Sequence, residues 1–279
     1  MTEDRIVRLR RMADRIRRTA VEMAHDSGSH GSHLGGSLSC VEIYAVLYGA
    51  VLNLRPEEPL WPERDRMVAG KEHARLAEFP AMAEAGLIRH EDLATYIQDD
   101  GLLAGHPYNP SIGLEYCCCS LGMALPVAVG MALDAKRSGR HNRVFTIMGD
   151  GEMDEGLIWE AIMAAAQYKL DNLVAVVDRN GLSSDGDTER IMALGDLEAK
   201  FRAFGWDCRT VADGHDVAQL LEAFEAPTTA GRPYAVIART VKGKGVSFAE
   251  NSPLWHQNVM TDALYAQALQ ELQVSGRED

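Results

Sequence analysis

Residues 143–170 read "RVFTIMGDGEMDEGLIWEAIMAAAQYKL". The run 143–148 is almost wholly apolar and predicts a strand buried on both faces. Residues 154–169 predict a helix. Between them, Asp150, Glu152, Asp154 and Glu155 crowd around Gly149 and Gly151. Carboxylates so close repel one another and are costly to desolvate. A hard cation together with a phosphate resolves that conflict. Gly149 and Gly151 let the backbone approach a ligand closely. The start of the following helix offers free N–H groups to an anion. Mg²⁺ or Ca²⁺ takes oxygen ligands and bridges to phosphate oxygens, and Asp150 supplies one such oxygen. Glu152 and Asp154 read as first-turn helix acids, favoured by the helix dipole and outside the ligand set.

A second strand end should complete the site. Asn180, in "DRNGLSSDG" (178–186), follows the apolar run 172–178 and lies thirty positions after Asp150. That distance is one strand–helix–strand unit. A lone GDG reads as a tight turn and a lone Asn as a turn residue; the specificity lies in the pair. Further outward, apolar strands are predicted at 206–211 and 234–239, with a helix over 216–226 between them. Toward the N-terminus, residues 1–25 predict an amphipathic helix with Ile6, Leu9, Ala13, Ile16 and Ala20 on one side. Residues 27–37 form a Gly/Ser/His loop, and 38–52 a helix capped by Ser37 or Ser39. Residues 53–66 carry three prolines and read as loop. A helix over 73–88 breaks at Pro80, 106–113 is loop, and a small-residue helix over 120–139, buried on most sides, ends at Gly139. Strands alternating with helices predict an α/β fold, a parallel sheet with helices on both faces. Ligands of such sheets sit beyond the carboxyl ends of the strands.

The 279 residues suffice for one large domain with a sizeable core. A formal net charge of −13 argues against general binding to nucleic acid or to an anionic membrane. No run reaches the length of a membrane span, and the N-terminus lacks an apolar signal core. The five cysteines, three of them adjacent at 117–119, form no disulfide framework. A reducing, cytoplasmic location is the expectation.

The pairing of GDG with Asn180 between two apolar strands resembles the thiamine diphosphate motif. "SHLGGSLSCVEIYAVLY" (32–48) resembles the transketolase segment "GHxGGSLS", and "KEHA" (71–74) its "KGHA". "GHP" (105–107), "SLGMALPVAVGMALDAK" (120–136), "GDGEMDEGLIWEAIMAAA" and "TVKGKGVSFAENSPLWH" (240–256) follow in that family's order. The chain therefore resembles the diphosphate-binding domain of a transketolase from about residue 10 to 262. That resemblance implies a thiamine diphosphate-binding fold as a single domain over 1–279. The metal would be held by Asp150, Asn180 and the Leu182 carbonyl. Gly149 and Gly151 would lie against the diphosphate. Ser120 and Leu121 would lie where the backbone faces the cofactor, and Glu155 and Glu160 would match two glutamates near a subunit interface, Glu155 in a carboxylate network by the cofactor. It implies further that His33, His73, His106 and His256 line a substrate channel. An imidazole suits that task because each nitrogen can donate or accept near neutral pH. His30 is a rival for His33 in the doubled "SHGSH". Lys242 and Lys244 read either as phosphate neutralisers or as a solvated loop.

The family's pyrimidine-binding and third domains are not in these residues. They are expected on a separate C-terminal subunit in an α2β2-type assembly, with sugar phosphates as substrates. The reaction would move a two-carbon ketol unit from a ketose to an aldose, and the isolated chain would have no turnover. The competing readings are the alpha subunit of a 2-oxo-acid dehydrogenase decarboxylating component and a non-catalytic regulatory subunit. One departure bears on substrate identity: "CCSLGMAL" (118–125) stands where many transketolases read "TGSLGQGL". Cys119 there replaces a glycine, Met123 a glutamine and Ala124 a glycine. Buried, inert cysteines are the plain reading of that change, and a thiol near the cofactor is the alternative.

Overall fold

Five strands form one parallel sheet in the order β1-β2-β3-β5-β4. They are β1 (Arg66–Ala69), β2 (Val144–Gly149), β3 (Leu173–Arg179), β4 (Asp207–Val211) and β5 (Tyr234–Arg239). The computed structural model describes residues 3–117, 120–226 and 228–275. Its helices are α1 (Glu3–Asp26), α2 (Leu34–Leu38), α3 (Val41–Val46), α4 (Arg75–Glu84), α5 (Ala124–Arg137), α6 (Gly156–Gln167), α7 (Thr188–Ile191), α8 (Leu197–Ala203), α9 (Val217–Phe224) and α10 (Asp262–Ser275).

Strand periodicity divides the core in two. Phe145, Ile147, Val174, Val176 and Val236 join α1, α3, α4 and α9 in one apolar cluster. Val144, Met148, Ala175, Val177, Ala235 and Ile237 join α5, α6 and α8 in the other. Alternate residues thus face opposite helical layers, and apolar strands covered on both sides result. Helix α1 buries Leu9, Ala13, Ile16 and Ala20 as its pattern predicts. Helix α5 stops where expected: Gly139 takes a left-handed φ of +69° just past Ser138.

Several elements depart from expectation. Strand β1 went unread; its four residues begin with an arginine and carry no period. Residues 38–52 do not form one helix. They divide among the end of α2, α3, and a π-helical turn over Leu47–Val51. That turn contains Gly49, where a Cβ would lie 2.6 Å from Leu9 Cδ2, so α1 presses on bare backbone there. Neither Ser37 nor Ser39 caps the start of a helix; Cys40 precedes α3. The Ser37 hydroxyl donates to the His33 carbonyl at 2.9 Å, and that of Ser39 lies within hydrogen-bonding distance of the Gly36 carbonyl and Asp178. Helix α4 runs through Pro80 unbroken, because residues 75–83 are all buried and packing compensates for one missing N–H. The helix predicted over 120–139 starts at Ala124 and buries one face only, through Ala124, Leu125, Ala128, Val129, Ala132 and Ala135. Among the described residues no helix is long and apolar enough to cross a membrane.

Candidate active site

Because all strands are parallel, their carboxyl ends meet along one edge. There Asp150 follows β2, Asn180 follows β3, Lys71 lies just past β1, and Lys242 just past β5. A cavity of about 230 Å³ opens at this edge. Gly149, Asp150, Gly151, Asn180, Leu182, Leu121, His73 and His256 line it, together with Lys71, Glu152 and Lys242.

Asp150 is 1% exposed. Its Oδ1 accepts from the Gly151 N–H at 2.9 Å, and its Oδ2 from the Gly181 N–H at 2.6 Å and from Arg179 at 3.1 Å. Burial, with the charge of Asp178, raises its pKa; the Gly181 amide and Arg179 oppose the rise. The Asn180 amide is oriented at both ends. Its Nδ2 donates to Asp178 Oδ2 at 2.8 Å, and its Oδ1 accepts from the Leu182 N–H at 3.0 Å. The Leu182 carbonyl accepts from Lys242 Nζ at 3.3 Å, and the Ser183 carbonyl does so at 2.9 Å. One carboxylate, one amide oxygen and one carbonyl are a hard-oxygen set suited to Mg²⁺ or Ca²⁺. Gly151 sits close to Ser183, whose Cβ would be 3.1 Å from an added methyl. Backbone, not side chain, therefore faces the cavity there.

Three imidazoles pack together: ring centroids lie 5.4 Å apart for His33–His73, 5.4 Å for His33–His256 and 5.0 Å for His73–His256. Burial lowers the pKa of all three, and the charge of Lys242 adds to it. His256 is pushed down to about 4, so it is neutral at pH 7. Its Nδ1 lies 3.1 Å from Lys242 Nζ. Burial, with the nearby Lys71, lowers Lys242 to about 8. His106 is separate, exposed at the surface, with Nδ1 2.9 Å from Glu72 Oε2. His33, not the exposed His30, belongs to the cluster.

Other expected residues fall outside the cavity wall among the described residues. Glu155 is exposed at the start of α6, its Cβ beneath Gly122, and Glu160 is exposed further along α6. Ser120 is exposed in the turn before α5, where its carbonyl accepts from the Met123 N–H at 3.4 Å. Cys118 and Cys119 lie outside the described residues. Cys117 is half-buried, its Sγ 3.4 Å from the His106 carbonyl. Lys242 and Lys244 part company: Lys242 is buried in the cavity, whereas Lys244 is half-buried outside it, 3.8 Å from Glu250.

Glu152 corrects the sequence reading. It is 3% exposed and lies in the 3-10 turn Gly151–Asp154, ahead of α6. Its two oxygens accept from the Gly122 N–H at 3.0 Å and the Gly149 N–H at 3.2 Å. Burial lifts its pKa to about 7 against those two amides. Glu152 thus ties the turn before α5 to the end of β2. Gly70 makes room for it, since a Cβ there would lie 2.6 Å from Glu152 Oε1. Glu152→Gln should cost about 1–3 kcal/mol in chemical denaturation, because the amide NH₂ must face one of two buried N–H donors. An unchanged denaturation midpoint would refute that bridging role.

Two further residues were missed. Asp178 is fully buried and bonded to Lys71, Ser39, Thr240 and Asn180. Lys71 in turn donates to the Gly36 carbonyl at 2.5 Å and to Ser39 Oγ at 2.8 Å. A charged residue ending an otherwise apolar strand, as Asp178 does, was the available signal.

Residues 9–275 match the family model described as transketolase, thiamine diphosphate binding domain. The chain belongs to the transketolase family. Among its relatives, one of the apulose-4-phosphate transketolase subunits of Actinobacillus succinogenes is 40% identical over 95% of this chain and 95% of its own length. The 6-deoxy-6-sulfo-D-fructose transketolase subunit SqwG of a Clostridium strain is 38% identical over 96% of this chain and 97% of its own. The crystal structure of transketolase from Campylobacter jejuni superposes with a TM-score of 0.83 at 26% identity, covering 98% of this chain. This transketolase-family chain spans only 43% of that solved chain.

Proposed function

We propose that this chain is the cofactor-holding subunit of a two-subunit transketolase. It would transfer a two-carbon ketol unit between sugars of the sugar phosphate class, in the cytoplasm. The observation that carries this reading is that Asp150, Asn180 and Leu182 line one cavity together with His73 and His256. Asp150, Asn180 and Leu182 would hold Mg²⁺ or Ca²⁺, with Gly149, Gly151, Ser120 and Leu121 against thiamine diphosphate. When bound, thiamine diphosphate supplies the carbanion chemistry. His33, His73 and His256 would bind substrate hydroxyls, and the His256–Lys242 contact fixes which ring nitrogen His256 presents. Glu155 and Glu160, exposed on α6, would meet a partner subunit carrying the pyrimidine-binding domain, in an α2β2 assembly. Support for a partner comes from relatives named as subunits whose length this chain matches nearly end to end.

The test is to mix this chain with its candidate partner and measure ketol transfer from a ketose phosphate, omitting each protein, the metal and thiamine diphosphate in turn. Activity should need all four. Turnover by this chain alone, or turnover that survives a chelator in metal-free buffer, would overturn the proposal.

A further inference from the structure

His106 is bound from behind by a buried set of charges that the cofactor site does not use. The Glu72 side chain is 2% exposed. Its Oε2 lies 2.9 Å from His106 Nδ1, and its Oε1 accepts from Arg75 Nη2 at 2.8 Å. Arg75 also donates to Glu78, whose other oxygen accepts from the Tyr48 hydroxyl at 3.3 Å. Glu72, Arg75 and Glu78 are all nearly fully buried, while the His106 side chain is 56% exposed. A buried ionic set is weak evidence for stability, since desolvation consumes most of its attraction. This set ends on a single exposed imidazole. Moreover, Glu72 stands where the resembling motif "KGHA" has a glycine with no side chain to offer.

We propose that Glu72 is a positioning residue that fixes the tautomer and ring orientation of His106, leaving Nε2 free to accept a hydrogen bond from a substrate hydroxyl. An ionised carboxylate only accepts, so the hydrogen of a neutral His106 ring must sit on Nδ1. Nε2 then carries the lone pair. His256 is set the opposite way: Lys242 donates to its Nδ1, so its Nε2 carries the hydrogen. His106 thus presents an acceptor at Nε2, and His256 a donor at Nε2. The hydroxyl half of this inference rests on the transketolase reading; the tautomer half does not.

The experiment is long-range ¹⁵N–¹H NMR of the full chain labelled in histidine, at mildly alkaline pH, with His106→Gln assigning the signal. The native chain should show the Nδ1–H form. Glu72→Gln should switch it to Nε2–H. Arg75 has only donors, so the glutamine must turn its oxygen to Arg75 and its NH₂ to His106. An Nε2–H form in the native chain, or the same form in both proteins, would overturn the proposal. The native measurement needs no variant, so a misfolded Glu72→Gln leaves it decisive. In the assembled enzyme, Glu72→Gln should raise the donor KM about tenfold, the value of one hydrogen bond, with thiamine diphosphate affinity unchanged. A tautomer switch without any kinetic change would overturn the substrate role alone.

Discussion

Asp150→Ala should abolish metal-dependent binding of thiamine diphosphate by the assembled complex. The loss should exceed the roughly 10- to 100-fold that removal of an outer-shell partner costs a metal site. Asp150 offers the site's one carboxylate among the three oxygens proposed for the metal, and it is buried. It also has a second task. Its two oxygens accept from Gly151, Gly181 and Arg179, so it ties the end of β2 to the loop after β3. Asparagine cannot stand in. Every partner is a donor, and the amide NH₂ would face one of them. Titration calorimetry with thiamine diphosphate at fixed Mg²⁺ reads the effect. Asp154→Asn is the internal comparison: Asp154 lines the same cavity outside the ligand set, and its replacement should alter affinity by no more than about twofold. Retained metal-dependent binding in Asp150→Ala would remove Asp150 from the metal site.

How much of this was legible in the sequence depends on what each residue touches. Strands β2, β3 and β5 announce themselves because apolar runs buried on both faces leave a composition signal, whereas β4, at the sheet edge, buries only Cys208 and Val211. The positions of Asp150 and Asn180 follow from those strands, since a parallel sheet brings their carboxyl ends together. Strand β1 is too short and too mixed to give a period. Glu152 was misread for a physical reason: an acid just after a strand is favoured by the next helix dipole and equally by a pair of loop amides, and only the loop from Ser120 to Gly122 decides between them. Glu72, in the 3-10 turn just before α4, and Arg75, the first residue of α4, are three positions apart, a spacing that ordinarily denotes a solvated ion pair. Their burial is set by chain segments far away in sequence. Long-range closure of this kind carries no local pattern, whereas the motifs group His33, His73, His106 and His256, three of which, His33, His73 and His256, pack ring against ring.

Lys71→Met should destabilise the chain by roughly 3–5 kcal/mol, the cost of leaving a buried charge without its partner. Asp178 is fully buried at the end of β3, and burial alone would raise its pKa. The charge and hydrogen bond of Lys71, helped by Thr240 and Ser39, outweigh burial and hold it below the usual carboxylate range. A lowered folded-state pKa contributes stability above the unfolded value of about 3.9 and loses it as pH falls through the folded value. The comparison therefore belongs at neutral pH, where the loss corresponds to a fall in Tm of roughly 6–20 °C. Lys71→Met combined with Asp178→Leu removes both charges and should recover much of the stability. It should not recover cofactor binding. Asp178 is what accepts from Asn180 Nδ2, and without that anchor the amide is free to turn its oxygen away from the proposed metal site. Thermal melts and metal-dependent titrations of the single and double variants separate the two effects. A double variant that regained both Tm and thiamine diphosphate affinity would show the pair to be structural only. One that regained Tm while staying unable to bind would show that Asp178 sets the metal ligand through Asn180.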